Sequence, residues 1–280
     1  MNTSMISASV TAGQLQRKLD TISQNIANTN TTGYKRRETT FSDLLFQQVN
    51  NQSNPNFEAG RLTPNGLRVG SGARIAQTAL RLEQGSLIQT GRELDFAITE
   101  KDHFFRIGTI ENGEQVERLS RDGAFYLSED PDNPGLLTIV TSNGDFLLNG
   151  GFERINVPMN FESLQLTEQG ILTATLNDGT VEELGQLALT RVLKPQLLES
   201  IGDNLYGIPN LAALGFAEGD VLEEVPGNEG RIMQGSLEGS NVDLSREMNE
   251  LLSTQRHYQF NTRAISMADE MAGLINGIRR

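Results

Sequence analysis

The strongest constraint on what this chain can fold into lies at its N-terminus. Apolar side chains at Met1, Met5, Ala8, Ala12, Leu15, Leu19, Ile22 and Ile26 follow one another at steps that alternate four and three. A helix turns about 100° per residue, so this spacing lines them along one narrow seam, the a/d pattern of helices that pack along their length. The pattern predicts an amphipathic helix over 3–28, with Thr3 or Ser4 as its N-cap. Ala8 and Ala12 would let a partner helix approach closely. The run Asn28-Thr29-Asn30-Thr31-Thr32-Gly33 stops the helix, because Asn and Gly tolerate left-handed backbone angles. Pairing with another chain and a helical hairpin within this one would both show such spacing.

A second long helix is expected over 241–278, roughly 55 Å if straight, with Asn241 or Asp243 as its cap. Its first half places Leu244, Met248, Leu251, Leu252 and Tyr258 on one side. Its second half places Ala264, Met267, Ala268, Met271, Leu274, Ile275 and Ile278 on another, roughly half a turn away. Heptad drift of about 20° per repeat is too small to explain the switch. No Pro or Gly marks a kink near Asn261. Such a helix needs different neighbours along its length, and that points to an assembly.

Between the ends the texture changes to turns and short β-rich runs. Asn65-Gly66, Asn112-Gly113, Asp122-Gly123, Asn143-Gly144, Asn149-Gly150 and Asp178-Gly179 read as turn dipeptides. The clearest hairpin runs 171–176, turns at 177–179 and returns along 180–184. The fold class is therefore α+β, with long N- and C-terminal helices packed as a coiled-coil-like inner domain and a mostly antiparallel β middle domain. The expected division is a discontinuous helical domain of 1–45 with 226–280, an extended linker over 46–67, and a β-rich domain over 68–225. Charge follows this division. The net charge of −13 resolves into +3 over 1–40, −16 over 41–240 and zero over 241–280, so near-neutral ends can approach copies of themselves.

Composition closes off most chemistry. Cys is absent, which excludes disulfide scaffolds, thiolate catalysis and cysteine-ligated metals. No apolar run is long enough to span a bilayer as a helix, and the acidic balance argues against nucleic acid. The first residues lack the basic and apolar regions of a secretory signal. Only His103 and His257 are available as imidazoles, and neither sits in a zinc, triad or nucleophile-elbow motif. Glycines at 66, 70 and 72 have no following Gly-Lys-Ser/Thr, so no phosphate cradle forms. The expectation is no enzyme, no metal and no cofactor.

Positive identification comes from motifs. Asn25-Ile26-Ala27-Asn28 followed by Thr31-Thr32-Gly33-Tyr34-Lys35 closely resembles the signature of bacterial flagellar rod and hook proteins. The C-terminal Gly239-Ser240-Asn241-Val242-Asp243-Leu244, Glu247-Met248 and Asp269-Glu270-Met271 agree with that family, as do Gln84–Leu87, Leu94–Ile98, Ser120–Gly123 and Glu199–Gly202. The chain departs from it at Glu100-Lys101-Asp102-His103, where relatives usually carry glycines. The resemblance is to the rod class, most nearly its distal members.

The resemblance implies a structural subunit of the basal-body rod, located outside the cytoplasmic membrane. Its N- and C-terminal helices would line a hollow helical drive shaft, with the β domain outside. Its partners would be further copies of itself, other rod and hook proteins, and the flagellar export apparatus, which uses no cleaved signal. Asn25, Ala27, Asn28, Thr31, Gly33, Tyr34, Lys35, Asn241 and Val242 carry the family motif. Met5 through Ile26 on the seam, with Leu244, Met248, Leu251, Tyr258, Met267, Met271, Leu274 and Ile278, are the candidate assembly residues. Asn249, Ser253, Arg256 and Arg263 are candidates to face the lumen. The segment 46–66 is expected to bridge neighbouring subunits and stiffen the shaft. Alternatives are a proximal rod or hook subunit of the same family, or a secreted module on a coiled-coil stalk.

Overall fold

The computed structural model describes residues 2–43, 47–49, 67–69, 73–111, 113–130, 133–225 and 232–278. Within them the chain is α+β: an N-terminal helix of 26 residues (Asn2–Ala27), a succession of mostly antiparallel strands, and a C-terminal helix of 35 residues (Leu244–Ile278). It divides into two compact units, one of Met1–Ala27, Arg37–Ala79 and Asp243–Arg280, the other of Asn28–Arg36 and Leu80–Val242.

In the helical unit the two long helices pack on each other. Lys18 Nζ meets Glu250 Oε1 at 2.6 Å, and Asn25 Nδ2 donates to Glu247 Oε2 at 3.1 Å. Later positions on the first helix meet earlier ones on the second, so they run antiparallel. The N-terminal helix buries Ala12, Leu15, Ile22 and Asn25, and half-buries Met5, Ala8, Leu19 and Ile26. It is already formed at Asn2, which puts Thr3 and Ser4 inside its first turn. Asp243 caps the C-terminal helix: its Oδ1 accepts from the N–H groups of Ser245 at 2.9 Å and Arg246 at 3.2 Å. The helix continues unbroken through Asn261, whose amide donates to His257 O at 2.9 Å. Arg37–Asp43 pairs with Ala73–Leu80, and Gln47–Val49 pairs antiparallel with Leu67–Val69. Residues 46 and 50–66 of the expected connector lie outside the described residues, as do the Asn65-Gly66 turn and Asn112 of the Asn112-Gly113 turn.

In the β unit, His103–Glu111 is the central strand of a ten-strand sheet. It pairs antiparallel with Glu114–Ser120, Leu189–Val192 and Phe146–Leu147. Its sequence is apolar on both faces because both are covered, and the alternation of a strand sends successive side chains to opposite sides. Phe105 and Ile107 enter the larger core with Phe96, Phe125, Ile139 and Leu147. Phe104 enters a second core with Leu119, Val192, Tyr206 and Val221. The hairpin read from sequence is present as Ile171–Leu176 and Val181–Gln186 around the Asp178-Gly179 turn, with Phe161–Leu166 completing a three-strand sheet. Asp122-Gly123 is not a hairpin turn. It runs through a buried stretch where Phe96 N–H donates to Gly123 O, and Asp122 accepts from Thr32 Oγ1 at 2.8 Å. Two short pairs, Leu87–Gln89 with Ser236–Glu238 and Phe96–Ile98 with Ile232–Gln234, bring the chain's later residues into this unit.

Candidate functional site

The motif residues fall into two groups. In the helical unit, Asn25 is buried and acts as a substitute strand partner. Its Nδ2 donates to Arg37 O at 2.9 Å while its Oδ1 accepts from Arg37 N–H at 3.1 Å. The same amide nitrogen reaches the buried carboxylate of Glu247. An amide side chain offers one acceptor and two donors, which is what this position uses. Ala27 is exposed and Val242 half-buried.

In the β unit, 28–36 form a strap. Thr31 N–H donates to Asn28 O, and Thr31 Oγ1 to Asn28 Oδ1, each at 3.2 Å, and Tyr34 N–H donates to Thr31 O at 3.4 Å. Gly33 N–H then donates to Glu238 O at 2.8 Å. Gly33 sits at φ +67°, and a Cβ there would lie 2.5 Å from the backbone of Arg121, so only glycine fits. Tyr34 and Lys35 follow it into the interior.

Lys35 ends in a buried ion cluster. Its Nζ lies 2.7 Å from Glu238 Oε1 and donates to Glu83 O at 2.9 Å. Glu238 Oε2 accepts from Arg121 Nε at 2.8 Å, with Arg121 Nη2 also at 2.8 Å, while Oε1 accepts from Gly85 N–H at 2.9 Å. Arg121 Nη1 donates to Glu100 O and His103 O, both at 2.5 Å. Two cations thus share one carboxylate; Glu83 O, Glu100 O and His103 O accept further protons from them, while Arg121 Nη2 lies against Glu238 without a hydrogen bond of its own. Desolvation, with Arg121 beside it, lowers the Lys35 pKa to about 8, against the upward pull of Glu238. The Arg121 pKa is lowered by the same burial, and that of Asp122 is raised by it. Close backbone packing seals the cluster: a Cβ on Gly85 would lie 1.9 Å from Gly239 O. The departure at Glu100–His103 finds its explanation here. This turn uses no left-handed residue, so it does not need glycine, and its carbonyls solvate Arg121.

Asn241 is not a helix cap. Its Oδ1 accepts from Arg36 N–H at 2.7 Å, and its Nδ2 donates to Arg81 O at 2.8 Å and Glu83 O at 2.9 Å. Glu238 was not singled out from sequence, and Arg121 only as part of the Ser120–Gly123 motif; the signal for Glu238 was a charge within the small and apolar stretch Ser236-Leu237-Glu238-Gly239.

The candidate assembly residues of the C-terminal helix lie mostly on open faces. Leu244, Met248, Met267, Met271 and Leu274 are exposed, Leu251 and Tyr258 half-buried, and Ile278 is placed in the helix only by its backbone. Asn249, Ser253, Arg256 and Arg263 are exposed as well. Among the described residues, no helix is long and apolar enough to cross a membrane.

Comparison with known proteins decides the family. Residues 7–35 match the family described as flagella basal body rod protein, and residues 233–278 match the flagellar basal body rod FlgEFG protein C-terminal family. The chain is 39% identical over 278 residues to the flagellar hook-basal body complex protein FlhP of Bacillus subtilis, covering 99% of each. It is also 34% identical over 264 residues to the flagellar basal-body rod protein FlgG of Agrobacterium fabrum, covering 93% of each. The FlgG of Borreliella burgdorferi is 34% identical over 270 residues, covering 95% of this chain and 94% of that one.

The chain belongs to the flagellar basal-body rod family.

This is a family of structural proteins, not of enzymes. Lys35 closes the first matched segment and Glu238 lies near the start of the second, so the buried pair joins the two family-defining ends of a rod protein. Arg121 lies between the matched segments.

Proposed function

We propose that this chain is a subunit of the flagellar basal-body rod that polymerises into a hollow helical shaft, transmitting torque and passing exported subunits along its lumen. The helical unit forms the tube. One observation carries this reading. The C-terminal helix leaves Leu244, Met248 and Leu252 exposed in its first half and Met267, Met271, Leu274 and Ile275 in its second, each between 46% and 69%. So much open apolar surface on one helix is a binding surface. Two faces offset around the helix require two different neighbours, as head-to-tail helical packing supplies.

The near-neutral ends and strongly acidic middle support the same arrangement, with like-charged regions kept outward. The exposed Asn249, Ser253, Arg256 and Arg263 provide a polar wall that would not hold unfolded apolar cargo. Similarity to FlgG rod proteins over more than nine-tenths of the chain supports a rod subunit, and this reading places it distally, with other rod and hook proteins as axial neighbours. Passage through the flagellar export apparatus without a cleaved signal fits a chain free of cysteine.

Sedimentation and electron microscopy of the purified chain at rising concentration test the assembly. The expected result is open tubes of indefinite length. A closed oligomer of fixed size would favour the stalked module instead.

A further inference from the structure

The chain passes between its two units four times, after Ala27, Arg36, Ala79 and Val242. On the β-unit side, three of these passages are tied by one side chain. Arg36, the last residue before the second passage, donates its N–H to Asn241 Oδ1 at 2.7 Å. Arg81, just beyond the third, offers its carbonyl to Asn241 Nδ2 at 2.8 Å, and its own N–H donates to Arg36 O at 2.9 Å. Asn241 itself stands one residue before the fourth passage, and its N–H donates to Tyr34 O at 3.4 Å. The bonds among Arg36, Arg81 and Asn241 close into a ring. The clasp is continuous with the ion cluster, because Glu83 O accepts from both Asn241 Nδ2 and Lys35 Nζ, each at 2.9 Å.

We propose that Asn241 is a positioning residue for torque transmission: its amide binds three segments of the β unit together, each next to a point where the chain leaves that unit, so that load on them is shared. This rests on the rod-subunit reading. A lone strand has two soft dihedrals per residue and twists easily under load. Three segments cross-bonded side by side cannot turn independently. The position demands an acceptor and two donors in one planar group, which Asn supplies. Asp keeps the acceptor and loses both donors, and Leu has neither.

Hydrogen exchange on full-length Asn241→Leu and Asn241→Asp proteins, paired with motility of cells carrying them, tests this. In Asn241→Leu the Arg36 and Arg81 amides should exchange about tenfold faster or more, while Ile107 and Leu147 in the sheet keep their protection. Asn241→Asp keeps the acceptor for Arg36 N–H and should retain protection there, while Arg81 N–H, which bonds Arg36 O, should exchange faster because its segment is no longer held through its carbonyl. Cells with either variant should swim normally in dilute medium and fall behind the parent increasingly as viscosity rises. The proposal is overturned if Ile107 and Leu147 lose protection along with the clasp amides, since Asn241 would then only stabilise the unit. Unchanged clasp exchange, or equal swimming under viscous load, would overturn it too. A separate arm guards the underlying reading: cells deleted for the chain that still build complete rods and swim would refute the rod assignment, whatever the exchange data show.

Discussion

Lys35, Glu238 and Arg121 form a two-to-one cluster, and its imbalance makes definite predictions. Glu238 supplies the single negative charge between two buried cations. Glu238→Gln leaves both without a counter-charge and should cost about 3–5 kcal/mol in urea unfolding of the β unit. Lys35→Met keeps most of the apolar stem and leaves Arg121 and Glu238 one to one, so its cost should be clearly smaller. The pH dependence has a fixed sign. Lys35 titrates near 8 when folded, against an ordinary value of 10.5, so between these the unfolded chain holds a proton that the folded one has released. Stability therefore rises with pH across that window and is lost again as pH falls through about 8. Lys35→Met should flatten this rise. An unchanged alkaline profile in that variant would show that Lys35 is not the group responsible. Gly33→Ala, which forces a Cβ to 2.5 Å from the Arg121 backbone at φ +67°, should destabilise the strap by more than about 1 kcal/mol.

At the scale of elements, the two helices carry different kinds of information. Leu19 is half-buried on the seam of the N-terminal helix, whereas Met267 and Met271 are open on the C-terminal one. Leu19→Asp should disturb the helix pair and abolish assembly while the β unit stays folded. Met267→Lys with Met271→Lys should leave thermal unfolding of the monomer within about 0.5 kcal/mol of the parent yet also abolish assembly. Retention of polymers by the double variant would remove these methionines from the interface. The N-terminal seam was legible because its apolar residues are the ones the chain covers. The C-terminal helix was legible as a helix, but not in its covered side. That side steps through Glu247, Leu251, Thr254, Tyr258, Asn261, Ile265, Ala268 and Ala272, a heptad path written largely in polar and small residues. Its conspicuous apolar residues mark what the single chain leaves open. Asn241 was read as a helix cap because Asn before a helix usually is one; only the tertiary partners at Arg36, Arg81 and Glu83 reveal the clasp.

For the whole molecule, the α+β order of elements follows from local pattern, while the connections across it do not. The Lys35–Glu238 pair spans 203 residues of sequence, and the central strand His103–Glu111 pairs with Leu189–Val192 far along the chain. Neither leaves a periodic trace. The rod reading, by contrast, draws on both ends together: matched family segments at 7–35 and 233–278, a helical unit built from both termini, and apolar faces left open on it. Its central claim is that copies of this chain form the shaft itself. Electron microscopy of isolated basal bodies, with an affinity label on the exposed Asp178-Gly179 turn, tests that most directly. The account predicts label repeating along the outer surface of the rod with helical periodicity. Label confined to another part of the basal body, or absent from structurally complete rods, would contradict it.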